Sequence, residues 1–180
     1  CIRAMRRAAT ERLSAKVQTQ AERQVFVPEL LSEVYELLNE LDNTKLLSVD
    51  IETHPSSGTI RSIAFSTEAR SSICILFSAH ERGPGNYWSE GDEIAVVLAV
   101  RALLENNQPK LFQNGSYDVA YLWLALGIGT RNYAEDTRLK HHAFSPEEPK
   151  DLGTLGTRYV PDIGPWKMAH ALAKDDARDK

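Results

Sequence analysis

Residues 45–53 read KLLSVDIET, an apolar run that closes on two acids, Asp50 and Glu52. Leu, Val and Ile in such a run suit a short buried strand, whereas Asp is disfavoured there. On a strand, residues i and i+2 share a face, so the two carboxylates would project together. Carboxylates held close repel, and the arrangement is costly unless cations or protons neutralise it. The alternative is that the strand has already ended and both acids sit in a solvated loop. Asp-x-Glu occurs once in the chain, and chance alone supplies about one such string at this acid content. Its position, not its occurrence, carries the information.

On the N-terminal side, Pro28 opens a helical segment with Leu30, Leu31, Val34, Leu37, Leu38 and Leu41 on one face. Residues 1–24 lack Gly and Pro and read as a helix or a loosely ordered leader. On the C-terminal side, Thr59–Ser66 and Ser72–Ser78 flank TEAR and read as a hairpin. A polar loop with Gly83, Pro84 and Gly85 follows, then a helix over 90–105 with apolar positions Ile94, Val97, Leu98, Ala102 and Leu103. Pro109 precedes a short strand, KLFQ, and residues 116–126 return to helical periodicity before Gly127. That order fits a mixed α/β sheet, antiparallel at its start and parallel in its continuation. Further on, Asp136 and Asp151 each suit the N-cap of a helix, the two stopped by Pro146 and Pro161.

A second cluster, Gln113-Asn114-Gly115-Ser116-Tyr117-Asp118, falls where strand becomes helix. Asn114 suits the turn, Gly115 permits close backbone passage, and Asp118 in the first helical turn can point at the end of the sheet. In open α/β sheets that crevice is the usual ligand site. Asn and Asp are equally at home as plain turn and helix-start residues.

Composition bounds the rest. At 180 residues the chain can bury the core of one domain with an appended segment. Cys1 and Cys74 are its only cysteines, which favours a reducing compartment and leaves no cysteine zinc site. No apolar run is long enough to span a bilayer, and the Cys1 start without a signal-peptide pattern suggests a piece of something longer. The net charge of −4 divides into +4 over residues 1–23 and −8 over the remainder. An acidic body argues against a protein that coats nucleic acid by counterion release, yet suits one that meets phosphates through metal ions. Cys74, Tyr121 and Trp123 are expected in packing roles, His141 and His142 in helix packing or solvent, and Trp88 is the better candidate for contact with a nucleic acid.

Taken together, VDIET (49–53), QNGSYD (113–118) and EDTRLKHHAFSPEEPKDLGTLGTRYV (135–160) resemble the 3′–5′ exonucleases of the DEDD superfamily, in particular the proofreading domains of family A DNA polymerases. The resemblance runs from Lys45 to about Lys167. It implies an RNase H-like mixed five-stranded sheet flanked by helices, with residues 1–44 as a helical leader and 45–180 as an exonuclease-like domain truncated at its C-terminus. It implies hydrolysis of nucleotides from the 3′ end of single-stranded DNA, RNA being possible, beside a flanking polymerase or other domain, in the cytoplasm of a bacterial or phage-infected cell, without a membrane. Two divalent ions, Mg²⁺ or Mn²⁺, would be held by Asp50, Glu52 and Asp118, with Thr53, His54 and Asn114 beside the terminal nucleotide. The family's third motif adds an Asp five residues after a His or four after a Tyr. Tyr159 is followed at that distance by Ile163, whereas His170 and Asp175 have the His-type spacing. The preceding segment, with Trp166-Lys167, resembles polymerase domains of the Tyr type, so the motif is expected beyond Lys180, with Asp175 the fallback ligand. A non-catalytic module, or a self-contained His-type exonuclease using His170 and Asp175, are the rival readings.

Overall fold

A computed structural model describes residues 23–54, 57–78 and 85–160. Its elements are β1 (Gln24–Phe26), α1 (Leu31–Leu41), β2 (Leu47–Thr53), β3 (Ile60–Glu68), β4 (Ser71–Leu76), α2 (Glu90–Glu105), β5 (Lys110–Phe112), α3 (Ser116–Leu126), β6 (Tyr133–Asp136), α4 (Thr137–Phe144) and α5 (Leu152–Tyr159). The strands form one sheet in the order β1-β4-β3-β2-β5-β6. β2, β3 and β4 pair antiparallel, while β2, β5 and β6 run parallel. The mixed character expected from the element order is therefore present, with six strands rather than five. The additional edge strand, β1, is three exposed residues paired in parallel with β4. Its position, and that of α1 in the core, place residues 24–41 of the expected leader within the same body as the sheet. That body is Arg23–Phe144. Residues 145–160 belong to a second unit, in which Asp151 caps α5 through the Thr154 N–H at 3.0 Å.

β2 explains the sheet. Leu47, Val49 and Ile51 are buried, and Asp50 and Glu52 are exposed on the opposite face. Val49 and Ile51 stand opposite Phe65 and Ile63 of β3, so the core is continuous across the strands. Opposite Asp50 and Glu52 stand the small residues Ala64 and Ser62, which leave the acidic face uncrowded. On α1, Val34, Leu38 and Leu41 face the core, as their spacing predicts.

Helix α2 turns differently from expectation. Its buried residues are Val96, Val100, Leu103 and Leu104, while Ile94 and Leu98 are exposed. Trp88 is buried, not available to a ligand, and its indole N–H donates to the Leu76 carbonyl at 2.7 Å. Trp123, expected in the interior, is 64% exposed on α3. Cys74 is half-buried and free, and burial pushes its thiol up, away from reactivity. His141 is the buried member of the His pair.

Polar bonds fix the amino ends of β2 and β5 away from the acids. The fully buried Lys110 ammonium donates to the Asn106 carbonyl at 2.7 Å and to its side-chain oxygen at 2.6 Å, and Asn106 in turn donates to Asp42 at 2.7 Å. Burial lowers the Lys110 pKa to about 8, with Asp42 opposing.

The two faces of α2 give opposite expectations. Leu104→Ala should cost about 2–5 kcal/mol, and Ile94→Ala less than about 0.5 kcal/mol. Urea denaturation measures both, and equal losses would contradict the observed rotation of the helix.

Candidate functional site

The parallel strands each deliver an acid to the same edge of the sheet. Asp50 and Glu52 lie near the carboxyl end of β2, Asp118 follows the end of β5, and Asp136 is the last residue of β6. The crevice beyond these ends is where open α/β sheets bind ligands. β5 pairs with β2 only at Leu47 and Ser48. Farther along β2, the Ile51 N–H instead donates to the Asp118 carboxylate at 3.1 Å.

Asp118 is buried in the first turn of α3. Burial pushes its carboxyl up to about 6, the Ile51 N–H opposes, and the charges of Asp50 and Asp136 push the same way as burial. The structure thus brings Asp50 and Asp118 into one electrostatic site, across 68 positions of sequence. Glu52 shares the exposed face of β2 with Asp50. Among the described residues, no group of three or more His, Cys, Asp or Glu side chains forms a ready metal cage. His170 and Asp175 lie outside the described residues.

The remaining expected residues surround this pair. The Thr53 hydroxyl bonds the Tyr117 hydroxyl at 2.7 Å, tying the end of β2 to α3. The Tyr117 ring lies against Tyr121 with centroids 4.5 Å apart. His54 begins a turn closed by its N–H to Thr59 at 2.8 Å and by the Gly58 N–H to its own carbonyl at 2.9 Å. Asn114 adopts a left-handed backbone, φ 63°, and its side-chain oxygen accepts from Arg138 at 2.6 Å.

Sequence reading missed what holds the Asn114–Gly115 turn. Asp136 is the N-cap it was expected to be, accepting from the Arg138 and Leu139 N–H groups at 2.8 and 3.1 Å. The same carboxylate also accepts from the Asn114 and Gly115 N–H groups, at 3.2 and 2.9 Å, and from the Tyr133 hydroxyl. Burial raises its pKa, but these bonds outweigh burial and leave it below the usual carboxylate range. Tyr133 is pushed up to about 12 by burial and by Asp136. Thr137, next in sequence, bonds the Gln113 side chain. A capping acid is visible in sequence; a bond to residues more than twenty positions earlier is not.

A mixed sheet with acids gathered at its parallel strand ends defines an α/β domain of the RNase H-like exonuclease fold. The family model for the 3′–5′ exonuclease domain matches residues 26–176, and the chain belongs to that family. No curated protein gives a significant sequence match. Among solved structures, the fold is similar to Trypanosoma brucei RNase D in complex with GMP, with TM-score 0.59 and 16% identity, covering 77% of this chain and 42% of that one. It is also similar to the catalytic core of RRP6 from Trypanosoma brucei, with TM-score 0.58 and 18% identity over 88% and 43%, and to Brucella melitensis NrnC, with TM-score 0.50 and 15% identity over 81% and 63%. The chain therefore spans less than half of the RNase D and RRP6 chains. No helix among the described residues is long and apolar enough to cross a membrane.

The raised pKa of Asp118 has a sign that can be measured. Because the folded state holds this proton more tightly than the unfolded chain, the associated stabilisation is complete below about pH 3.8 and is lost as pH rises through about 6. Above that, the buried charge costs the fold. Asp118→Asn keeps an oxygen for Ile51 and removes the charge, so it should stabilise the metal-free protein at pH 7.5 by about 1–3 kcal/mol. Its advantage should vanish near pH 4. Denaturation at both pH values checks this, and no gain at pH 7.5 would mean that the carboxylate is not desolvated.

Proposed function

We propose that this domain is a metal-dependent 3′–5′ exonuclease that removes nucleotides from single-stranded 3′ ends, DNA in the first place, within a longer polymerase-related polypeptide. The observation that carries the reading is the buried Asp118 carboxylate bonded to the Ile51 N–H, between Asp50 and Glu52 on β2. The Ile51 N–H accounts for an acceptor at this place, but a neutral side-chain oxygen would serve it without the cost of burying a charge. Membership of the 3′–5′ exonuclease family supports the reaction class. The RNase D structure similar in fold contains GMP, and a nucleoside monophosphate is the product class expected of stepwise phosphodiester hydrolysis.

The donors fit Mg²⁺ or Mn²⁺ in kind. Hard carboxylate oxygens suit both ions, and a divalent charge would offset the repulsion felt at Asp118. Asp50, Glu52 and Asp118 would hold the ions, and a further acid from outside the described residues would complete the set. Such ions supply a water activated at neutral pH and neutralise charge on the phosphate oxygens. The chain's own groups do the rest. Asp118, fixed on the Ile51 N–H, has one carboxylate oxygen outside that bond. Thr53 and Tyr117, bonded to each other, border the acids and would contact the terminal nucleotide, with His54 and Asn114 beside them.

RNA is the second substrate reading, supported by the fold likeness to RNase D. In the full-length protein, Asp50→Asn should reduce Mn²⁺-dependent digestion of a 5′-labelled single strand by at least about 100-fold. Parallel DNA and RNA oligonucleotides of one sequence decide the substrate. Mn²⁺ should also raise the melting temperature of the wild type and leave that of Asp118→Asn unmoved. Undiminished digestion by Asp50→Asn would overturn the assignment, and a wild type without nuclease activity or a cation shift would leave a non-catalytic module.

A further inference from the structure

We propose that Asp136 is a positioning residue for the site, whose carboxylate holds Asp118 in register with β2. The inference rests on the reading above, in which Asp118 is a metal ligand.

The two oxygens of Asp136 are divided by task. Oδ1 accepts from the Arg138 and Leu139 N–H groups and, more weakly, from Asn114 at 3.2 Å. Capping α4 therefore needs Oδ1 alone. Among the described residues, Oδ2 accepts from the Gly115 N–H, at 2.9 Å, and from the Tyr133 hydroxyl. A buried carboxylate that served only as a cap would have no reason to place its second oxygen on the turn before another helix.

Gly115 shows how tightly the turn is held. A Cβ at this position would lie 2.4 Å from the Phe112 Cβ and 2.8 Å from the Tyr133 hydroxyl oxygen. The backbone is pressed onto β5 and β6 where no side chain fits. From this point the bonds lead to the site. The Asn114 carbonyl accepts from Tyr117 at 3.2 Å, and the Gly115 carbonyl accepts from Val119 at 2.9 Å. These bonds form the first turn of α3, whose third residue is Asp118. Asp118 then accepts from Ile51 at 3.1 Å. One carboxylate at the end of β6 thus fixes the distance between β5 and β2 at the reacting edge. A misplacement of about 1 Å there is enough to cost two orders of magnitude in rate.

Asp136→Asn separates the two tasks. With its amide oxygen at Oδ1 it keeps the two cap bonds and the longer bond from Asn114, while its NH₂ then faces the Gly115 N–H, so the cap persists and the clamp loses its shorter bond. Residue-resolved amide exchange in metal-free buffer should show the Ile51 amide exchanging about 10-fold faster or more, while Val49, Ile63 and Leu139 keep their protection. In the full-length protein, the Mn²⁺ concentration for half-maximal nuclease activity should rise about 10- to 100-fold with little change in KM for the strand. Tyr133→Phe, which removes a single bond to Oδ2, should move both readouts in the same direction by less; it serves if Asp136→Asn does not fold. Wild-type exchange at Ile51 in either folded variant overturns the inference, as does an unshifted Mn²⁺ dependence in an active protein. A wild type without nuclease activity would remove the functional reading, while exchange at Ile51 would still decide the role of Asp136.

Discussion

The hydrogen bond from the Ile51 amide to the Asp118 carboxylate joins two strands that have stopped pairing. β5 follows β2 only as far as Ser48 and then turns into α3. Left alone, Ile51 would present an unmatched N–H on a flank otherwise built of buried side chains, at a cost of roughly 1–3 kcal/mol. A carboxylate supplied by the helix accepts it. The exchange is not free of penalty, because the acceptor is desolvated and lies in the field of Asp50, and the net effect is the elevated pKa. Backbone satisfaction and charge repulsion therefore meet in one side chain. A bound cation would leave the first intact and relieve the second.

The scaffold confines this conflict to one end of the sheet. At the amino ends of β2 and β5, the fully buried Lys110 bonds the half-buried Asn106, which in turn bonds the exposed Asp42, and Gln108 donates to the Leu41 carbonyl at 2.9 Å. Between these bonds and the acids lies the apolar band of Leu47, Val49, Ile51, Ile63, Phe65 and Ile75. Rigid elements on both sides set the position of the crevice, as precise ligand geometry requires. The face of β2 that carries the acids meets Ser62 and Ala64, which are too small to fill the space over them.

What could be read from sequence was what local periodicity determines. The apolar run KLLSVDI marked a short strand, and the i, i+2 spacing of Asp50 and Glu52 put both acids on one face if the strand reached them, as it does. Ser116–Leu126 ends where Gly127 takes the left-handed conformation, φ 62°, a stop signal independent of the rest of the chain. Helix α2 was misjudged in rotation because EIAVVLAVRALL offers apolar residues on nearly every side, so several stripes fit and only tertiary packing chooses among them. β1 and β6 were missed for a related reason. QVF and YAED are short and largely exposed, and they are strands only because β4 and β5 pair with them. Trp88 lies in a polar stretch, and its burial depends on the carbonyl of Leu76 in the preceding hairpin. Asp50, Glu52 and Asp118 could be named as candidates, yet the bond that brings Asp118 to β2 depends on the crossover through α2 and β5, which no local pattern encodes.

Local rules are broken most densely between Asn114 and Asp118. A non-glycine residue takes a positive φ, a glycine sits where no Cβ could fit, and an acid is buried, all within five residues. The other left-handed asparagines, Asn43 and Asn132, each occur alone, at a helix end and before a strand, where such residues are ordinary. A cluster of violations persists only if surrounding structure over-determines it. Here Arg138 bonds the Asn114 side chain, Thr137 bonds Gln113, and Asp136 takes the N–H groups of both Asn114 and Gly115. Three consecutive residues at the β6–α4 junction thus hold the strained turn of β5–α3. That is why the EDTR stretch packs as one unit with the turn that carries Asp118.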